Sequence, residues 1–208
     1  PSISYWSISS ILIFIASPYI IQFLGTYYYG IWKSIQKILD FSSVTDGKTS
    51  SALKWVVANK EGDSSSKGNK RRAVGAAIKT CLFFIPFTIL ILTILISNLP
   101  NLINLNDESL NSLLFNVGVI LGTNILISPL LAIPSAILTG VNKAYKANTV
   151  RILSTVLLNI LIVLVLYLGY GLKGMAIVTL FITIINSLFI YFICKRNVSW
   201  LGLSKPSK

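Results

Sequence analysis

The side chains best suited to chemistry in this sequence are three ionisable residues within residues 28–49. Lys33, Lys37 and Asp40 follow one another at intervals of four and three residues, which places them on one face of an α-helix at about 100° per residue. Two ammonium groups on one face can attract an anion. A carboxylate one turn beyond Lys37 can pair with that lysine, or exchange a proton or a cation.

This charged face has two other interpretations. It is also typical of a Lys37–Asp40 pair that neutralises itself, and of a helix lying flat on a membrane surface. Ionisable groups inside a membrane are costly, so they usually face a water-filled cavity or a partner. We therefore take Lys33, Lys37 and Asp40 as candidate residues of a substrate cavity, with the two structural interpretations as alternatives.

Polar side chains also run along later apolar segments. Arg151, Thr155 and Asn159 recur at four-residue spacing, and Arg151 and Asn159 are further candidates for lining the cavity. Residues 179–186 carry a second polar stripe, and residues 116–124 add more polar groups. The alternative for each stripe is hydrogen bonding between helices, which holds membrane bundles together. Arg151 could also serve only as an anchor at the membrane edge.

No catalytic constellation appears in the sequence. It has no histidine, no nucleophile motif and no phosphate-binding glycine loop of the Walker type. Cys81 and Cys194 are far apart in sequence, so no zinc site is indicated. Asp107 and Glu108 are adjacent, so they point to different sides and are typical of a solvated loop. We expect neither an enzyme nor a bound cofactor or metal.

The elements that must position the charged residues are apolar and long. The chain of 208 residues is 54% hydrophobic and 12% charged, with a mean hydropathy of +0.76. Few soluble domains of this size could bury so much apolar surface. Charge-free stretches, each long enough for a membrane helix of about 20 residues, cover residues 1–32, 80–106, 109–142, 152–172 and 174–194.

These stretches predict an all-α, polytopic membrane bundle of about six transmembrane helices. The spans are expected at about residues 3–24, 28–49, 73–96, 110–138, 152–169 and 175–193. Residues 51–72 are expected to form a cytoplasmic amphipathic segment followed by a loop. Gly25–Gly30 predicts a tight turn, and Pro129 and Pro134 predict a bend or the end of the fourth span.

The basic residues predict the orientation. The chain carries a net charge of +12, and its lysines and arginines concentrate after the second, fourth and sixth spans, with only Lys173 on the other side. The positive-inside rule then predicts six crossings of the cell membrane with both termini cytoplasmic. If residues 28–49 lay on the surface, the N-terminus would start outside. The basic side fits anionic membrane lipids as partners, rather than nucleic acid.

Two groups of short motifs resemble a known family. The first contains Phe23-Leu24-Gly25, Tyr29-Gly30-Ile31-Trp32 and Thr45-Asp46-Gly47; the second contains Ala132–Gly140 and Gly169-Tyr170-Gly171-Leu172-Lys173-Gly174-Met175-Ala176. In this order they resemble the N-terminal half of the polysaccharide flippases of the O-antigen or teichoic-acid type. Those proteins belong to the multidrug/oligosaccharidyl-lipid/polysaccharide exporter superfamily.

The resemblance implies an architecture and an activity. The chain would be one six-helix lobe of a two-lobe transporter, completed by a missing C-terminal lobe or by a second copy. It would flip a lipid-linked oligosaccharide, carried on an isoprenoid pyrophosphate, across the cytoplasmic membrane by alternating access, and Lys33 and Lys37 would attract the pyrophosphate. Two alternatives are a cation-coupled small-molecule or drug exporter of the same superfamily, and a non-transport membrane scaffold subunit.

Overall fold

The regular elements of the protein are helices. The computed structural model describes residues 14–42, 48–61, 67–103 and 110–201, and no strand occurs in these ranges. The helices are α1 (Phe14–Leu24), α2 (Thr26–Asp40), α3 (Thr49–Asn59), α4 (Lys67–Ser97), α5 (Leu99–Leu102), α6 (Asn111–Leu131), α7 (Ile133–Gly140), α8 (Ala144–Tyr167) and α9 (Gly171–Asn197). The predicted all-α class is confirmed.

Four helices of the described ranges are long and apolar enough to cross a membrane. They are α4, the 30-residue segment Asn111–Gly140 that joins α6 to α7, α8 and α9. These helices indicate a membrane protein. Helix α1 is apolar but shorter within the described residues. Helix α2 has 15 residues and extends about 22 Å, less than the about 30 Å of a bilayer core. The count of six spans therefore stays a prediction.

A single glycine separates α1 from α2. Gly25 has φ +83°, a backbone conformation that side-chain-bearing residues rarely adopt. The Ser17 and Tyr29 hydroxyl oxygens lie 3.4 Å apart, whereas twelve residues of one continuous helix would span about 18 Å. The chain therefore folds back at Gly25. The predicted turn is confirmed at Gly25, but Thr26–Gly30 already form the first turns of α2.

The predicted proline-marked break interrupts the Asn111–Gly140 segment at one residue. Helix α6 ends at Leu131 and α7 begins at Ile133, so the break at Ala132 lies between Pro129 and Pro134. Proline lacks an amide hydrogen and its ring crowds the preceding turn, which accounts for the interruption. Backbone hydrogen bonds on both sides of Ala132 continue the helical pattern.

The bundle has two apolar cores, one at each end. The first joins α1 and α2 to the last turns of α4 and α8 and to the first turns of α6 and α9, around fully buried residues such as Ile35 and Leu114. The second joins α3 and α7 to the first half of α4 and the last turns of α9, around Val57 and Ile137. Each long helix therefore contributes to both cores.

Basic residues hold the helix ends together around the second core. The buried Lys70 ammonium lies 2.8 Å from a Glu61 carboxylate oxygen. Arg71 donates a hydrogen bond of 2.9 Å to the carbonyl oxygen of Trp200, and Lys143 donates one of 2.9 Å to the carbonyl oxygen of Asn197. These contacts define a basic end of the bundle, which the positive-inside rule predicts to be cytoplasmic.

Between α1 and α3, the chain passes from the end of the bundle that holds the first core to the basic end. The rings of Phe23 and Tyr167 contact each other edge to face, with centroids 5.9 Å apart, where α1 and α8 end. Helix α3 lies against α7 at the basic end, so closely that a Cβ on Gly140 would stand 2.7 Å from the Cβ of Val57. Helix α2 lies between these two positions in the chain.

Candidate functional site

A cavity of about 290 Å³ lies between α2, α6 and α9. Five of its lining residues come from α2, three from α6 and one from α9. They are Lys33, Gln36, Lys37, Leu39, Asp40, Leu121, Asn124, Ile125 and Thr179. The structure therefore brings together three of the five residues predicted for a substrate cavity: Lys33, Lys37 and Asp40.

Helix α2 presents its charged face to this cavity because its other face is buried. Trp32, Ile35 and Leu39 are among its buried residues, and they belong to the core shared with α4 and α6. Because this apolar face is buried, Lys33 and Lys37 point away from the core. Both lysines are exposed. The division of α2 into a charged and an apolar face, predicted from the sequence, is confirmed over its described length.

The charges of the cavity come from α2 alone among the described lining residues. The Lys33 ammonium stands 5.4 Å from the centre of the Tyr29 ring, a cation–π contact that limits where the ammonium points. Lys37 follows one turn later and Asp40 follows Lys37. Two positive groups and one negative group leave this wall net positive, which favours an anion.

The opposite wall supplies uncharged hydrogen-bonding groups. The Asn124 side-chain oxygen is buried and accepts no hydrogen bond from the described part of the chain. Thr179 donates its hydroxyl hydrogen to the carbonyl oxygen of Met175 at 2.8 Å, so its oxygen can still accept. A buried amide oxygen without a partner costs about 1–3 kcal/mol. A ligand donor or a water in the cavity would remove that cost.

The cavity lies away from the ends of α6 and α9. Asn124 is near the middle of the Asn111–Gly140 segment, and Thr179 is more than two turns inside α9. Leu121 belongs to the first core, while the second core begins further along α6, towards the basic end. If these helices cross a bilayer, the charged wall is near the middle of the membrane, where ionisable groups are rare and usually functional.

Arg151 and Asn159 lie at other contacts. Arg151 donates a hydrogen bond to the Ser135 hydroxyl, which links α8 to α7. Asn159 donates to the carbonyl oxygen of Thr155 at 2.8 Å, one turn back on the same helix. The structure thus does not bring these two predicted residues to the lysines of α2. The Arg151 contact matches the alternative interpretation, hydrogen bonding between helices, whereas the Asn159 contact stays within α8.

Gln36, Asn124 and Thr179 line the cavity but were not selected as site residues from the sequence. Gln36 lies between the two lysines in sequence and three residues after Lys33, a spacing that predicts the same face of the helix. Asn124 and Thr179 stood out as polar residues in apolar segments. Only the packing of α6 and α9 against α2 turns them towards the same space.

Groups that could hold a metal ion are absent from the described residues: no three His, Cys, Asp or Glu side chains cluster there. Comparisons with protein-family models, curated proteins and solved structures find no match to this chain. What the cavity can do therefore follows from its own residues. An ammonium pair, one carboxylate and neutral hydrogen-bonding groups can bind a ligand that carries negative charge.

Proposed function

We propose that the chain is one lobe of a membrane transporter that flips an anionic, lipid-linked oligosaccharide by alternating access. The observation that carries this proposal is the cavity itself: Lys33 and Lys37 face Asn124 and Thr179 midway along the bundle. Transporter sites commonly lie near the bilayer midplane between helices. The pyrophosphate that links such a glycan to its isoprenoid would bind the two ammonium groups.

We further propose six crossings, in the cell membrane, with both termini cytoplasmic. Support comes from the route of the chain between Phe23 at one end and α3 at the other, which gives α2 the direction of a crossing helix. Because α2 is short and has a charged face, it can cross only where water or a partner covers that face. The basic contacts at one end agree with the positive-inside rule.

A single lobe offers too little space for the whole substrate. The cavity of about 290 Å³ is at the lower limit of the about 300–1,000 Å³ typical of small-molecule sites. It can hold a diphosphate, but a glycan needs further walls. A C-terminal lobe or a second copy of the chain facing α2 and α9 would supply them.

Asp40 favours one other function, a cation-coupled exporter of small molecules. A carboxylate one turn from Lys37 can bind a cation or a proton, and the release of that ion can drive export. In the flippase proposal the same carboxylate limits the net charge of the wall and helps the substrate to leave. The two functions differ in the charge of the transported molecule.

A transport assay separates these two functions. Cells that lack the chromosomal copy of the gene would be supplied with the complete wild-type gene, and both surface polysaccharide and efflux of a cationic dye would be measured. The flippase proposal expects the gene to restore polysaccharide export and to leave dye efflux at the level of the deletion strain. Restored dye efflux with no change in polysaccharide would overturn it in favour of the drug exporter.

Asn124 should be a binding residue rather than a stabilising one. Asn124→Leu removes a buried oxygen that lacks a partner, so we expect the free energy of unfolding to stay the same or rise by about 1 kcal/mol. Losing a hydrogen bond to the substrate should lower transport about tenfold. Unfolding in a detergent titration and polysaccharide export would be measured on the same variant.

Asn186→Leu is the matched control for that change. The Asn186 side chain is 3.1 Å from the Ser154 hydroxyl and links α9 to α8. Its loss should lower the free energy of unfolding by about 0.6 kcal/mol and leave transport by the folded protein intact. Clear destabilisation by Asn124→Leu with normal transport would show that the Asn124 amide is structural.

A further inference from the structure

A second, larger hollow lies at the basic end of the bundle, away from the charged cavity. This groove of about 400 Å³ is formed by α4, α7, α9 and the end of α6. Its walls include Val74 and Ile78 from α4, Ile137 from α7 and Tyr191 from α9. The walls are largely apolar, and the volume is within the about 300–1,000 Å³ typical of small-molecule sites.

Cations stand at one end of this groove. Lys195 is the charged residue among its described lining side chains, and it is exposed. Leu201 also lines the groove, and the preceding residue, Trp200, accepts a hydrogen bond of 2.9 Å from Arg71. The Arg71 guanidinium is therefore held next to the same end. An apolar channel that ends at positive side chains matches an amphiphile with an anionic head.

The depth of the groove fits a lipid better than a soluble anion. Tyr191 is six residues before the end of α9 at Asn197, which is about 9 Å along the helix. Lys195 is within the last turn. The polar headgroup layer adds about 5–7 Å on each side of the hydrocarbon core. If α9 crosses the membrane, Lys195 lies among the headgroups, while Tyr191 and Ile137 lie beside the acyl chains.

We propose that this groove retains one phospholipid with an anionic head, and that it prefers this lipid to a zwitterionic one. One acyl chain lies between α4, α7 and α9, and the lipid phosphate contacts Lys195. Basic pockets between helices on the cytoplasmic side are suited to such headgroups. The site is separate from the proposed transport cavity, so either can fail without the other.

The test compares lipid retention by variants of two lysines on one helix. The intact protein would be purified from bilayers of equal parts phosphatidylglycerol and phosphatidylcholine, and the retained lipids would be counted by native mass spectrometry. Lys195→Gln should lower the preference for phosphatidylglycerol about fivefold, and Lys195→Arg should restore it. Lys173→Gln, which changes an exposed lysine at the other end of α9, should leave the preference unchanged.

A second measurement locates the acyl chain. A phosphatidylglycerol with a photoreactive group in one chain should crosslink to the segment containing Tyr191, and excess inorganic phosphate should not compete. Crosslinks spread evenly over all helices would overturn the proposal. So would an equal loss of preference in Lys173→Gln, or displacement by free phosphate, because either result would indicate surface attraction without use of the groove.

Discussion

Replacing Lys33 and Lys37 together with glutamine is expected to lower transport of an anionic lipid-linked substrate about thirtyfold. Both lysines line the cavity between α2, α6 and α9, and glutamine keeps much of their length while removing the charge. A partly solvated ammonium contributes about 1 kcal/mol to holding an anion, and two such contributions combine to about thirtyfold. Export of surface polysaccharide at matched protein level is the measurement.

Two further variants isolate the effect of charge at this wall. The double change to arginine keeps both positive charges and should retain most of the transport, although its different geometry makes some loss expected. Lys173→Gln removes an exposed charge at the far end of α9 and should have no effect. Wild-type export by the glutamine double variant, at normal amount, would contradict the binding role of this wall.

The second large effect is expected at Gly174, where α8 and α9 meet. A Cβ at this position would be 2.2 Å from a Val165 methyl group and 2.6 Å from the Tyr170 Cβ. Because neither contact can exist without a shift of Val165 or of the turn at Tyr170, Gly174→Ala should lower the free energy of unfolding by about 1–3 kcal/mol. A detergent titration followed by circular dichroism measures it.

Gly30→Ala is the matched control for Gly174→Ala. A Cβ at Gly30, within α2, would meet no described atom within 4 Å. There alanine should leave stability unchanged or raise it by about 1 kcal/mol, since it lowers the entropy cost of the helix. Equal free energies of unfolding for the Gly174→Ala and Gly30→Ala proteins would contradict this prediction. They would show that α8 and α9 can make room for the extra methyl group without losing stability.

The glycine-rich turn illustrates what a motif can and cannot predict. Gly169 and Gly171 have φ of +82° and +56°, and Gly174 allows close packing. Each glycine of this spacing thus has a structural reason in the turn between α8 and α9. The spans predicted at residues 152–169 and 175–193 leave only a short connection between two apolar segments here. The sequence could not show which glycines are needed for a positive φ and which is needed for close packing.

Helix boundaries were the least predictable part of the fold. Hydropathy predicts a membrane span from about residue 152, and the helix that contains it, α8, already begins at Ala144. The basic residues before position 152 fit into the helix because tertiary contacts hold their charged groups: Lys146 donates to the Asn197 side chain and Arg151 to Ser135. A hydropathy window treats each such charge as the end of a helix.

The charged wall was predictable from the sequence, but the opposite wall was not. The spacing of Lys33, Lys37 and Asp40 determines their shared face within one helix. Which side of α6 and α9 approaches that face depends on contacts between distant residues, such as the packing of Gly122 on α6 against Ile96 on α4. The four-residue spacing therefore identified Arg151, Thr155 and Asn159 as a polar stripe. It could not show that Arg151 contacts α7 and not the lysines of α2.

Cysteine accessibility tests the central claim, that α2 faces a water-filled cavity midway along the bundle. In a chain whose two native, buried cysteines are replaced by alanine, single cysteines at Lys37 and at Asp40 would be treated with a membrane-impermeant thiol reagent. The control is a cysteine at Ile177, an exposed apolar position of α9 close to Thr179. Since only the solvated thiolate reacts, the cavity positions should be labelled about ten times faster than Ile177→Cys. Labelling no faster than this control would contradict a hydrated cavity and favour a membrane scaffold.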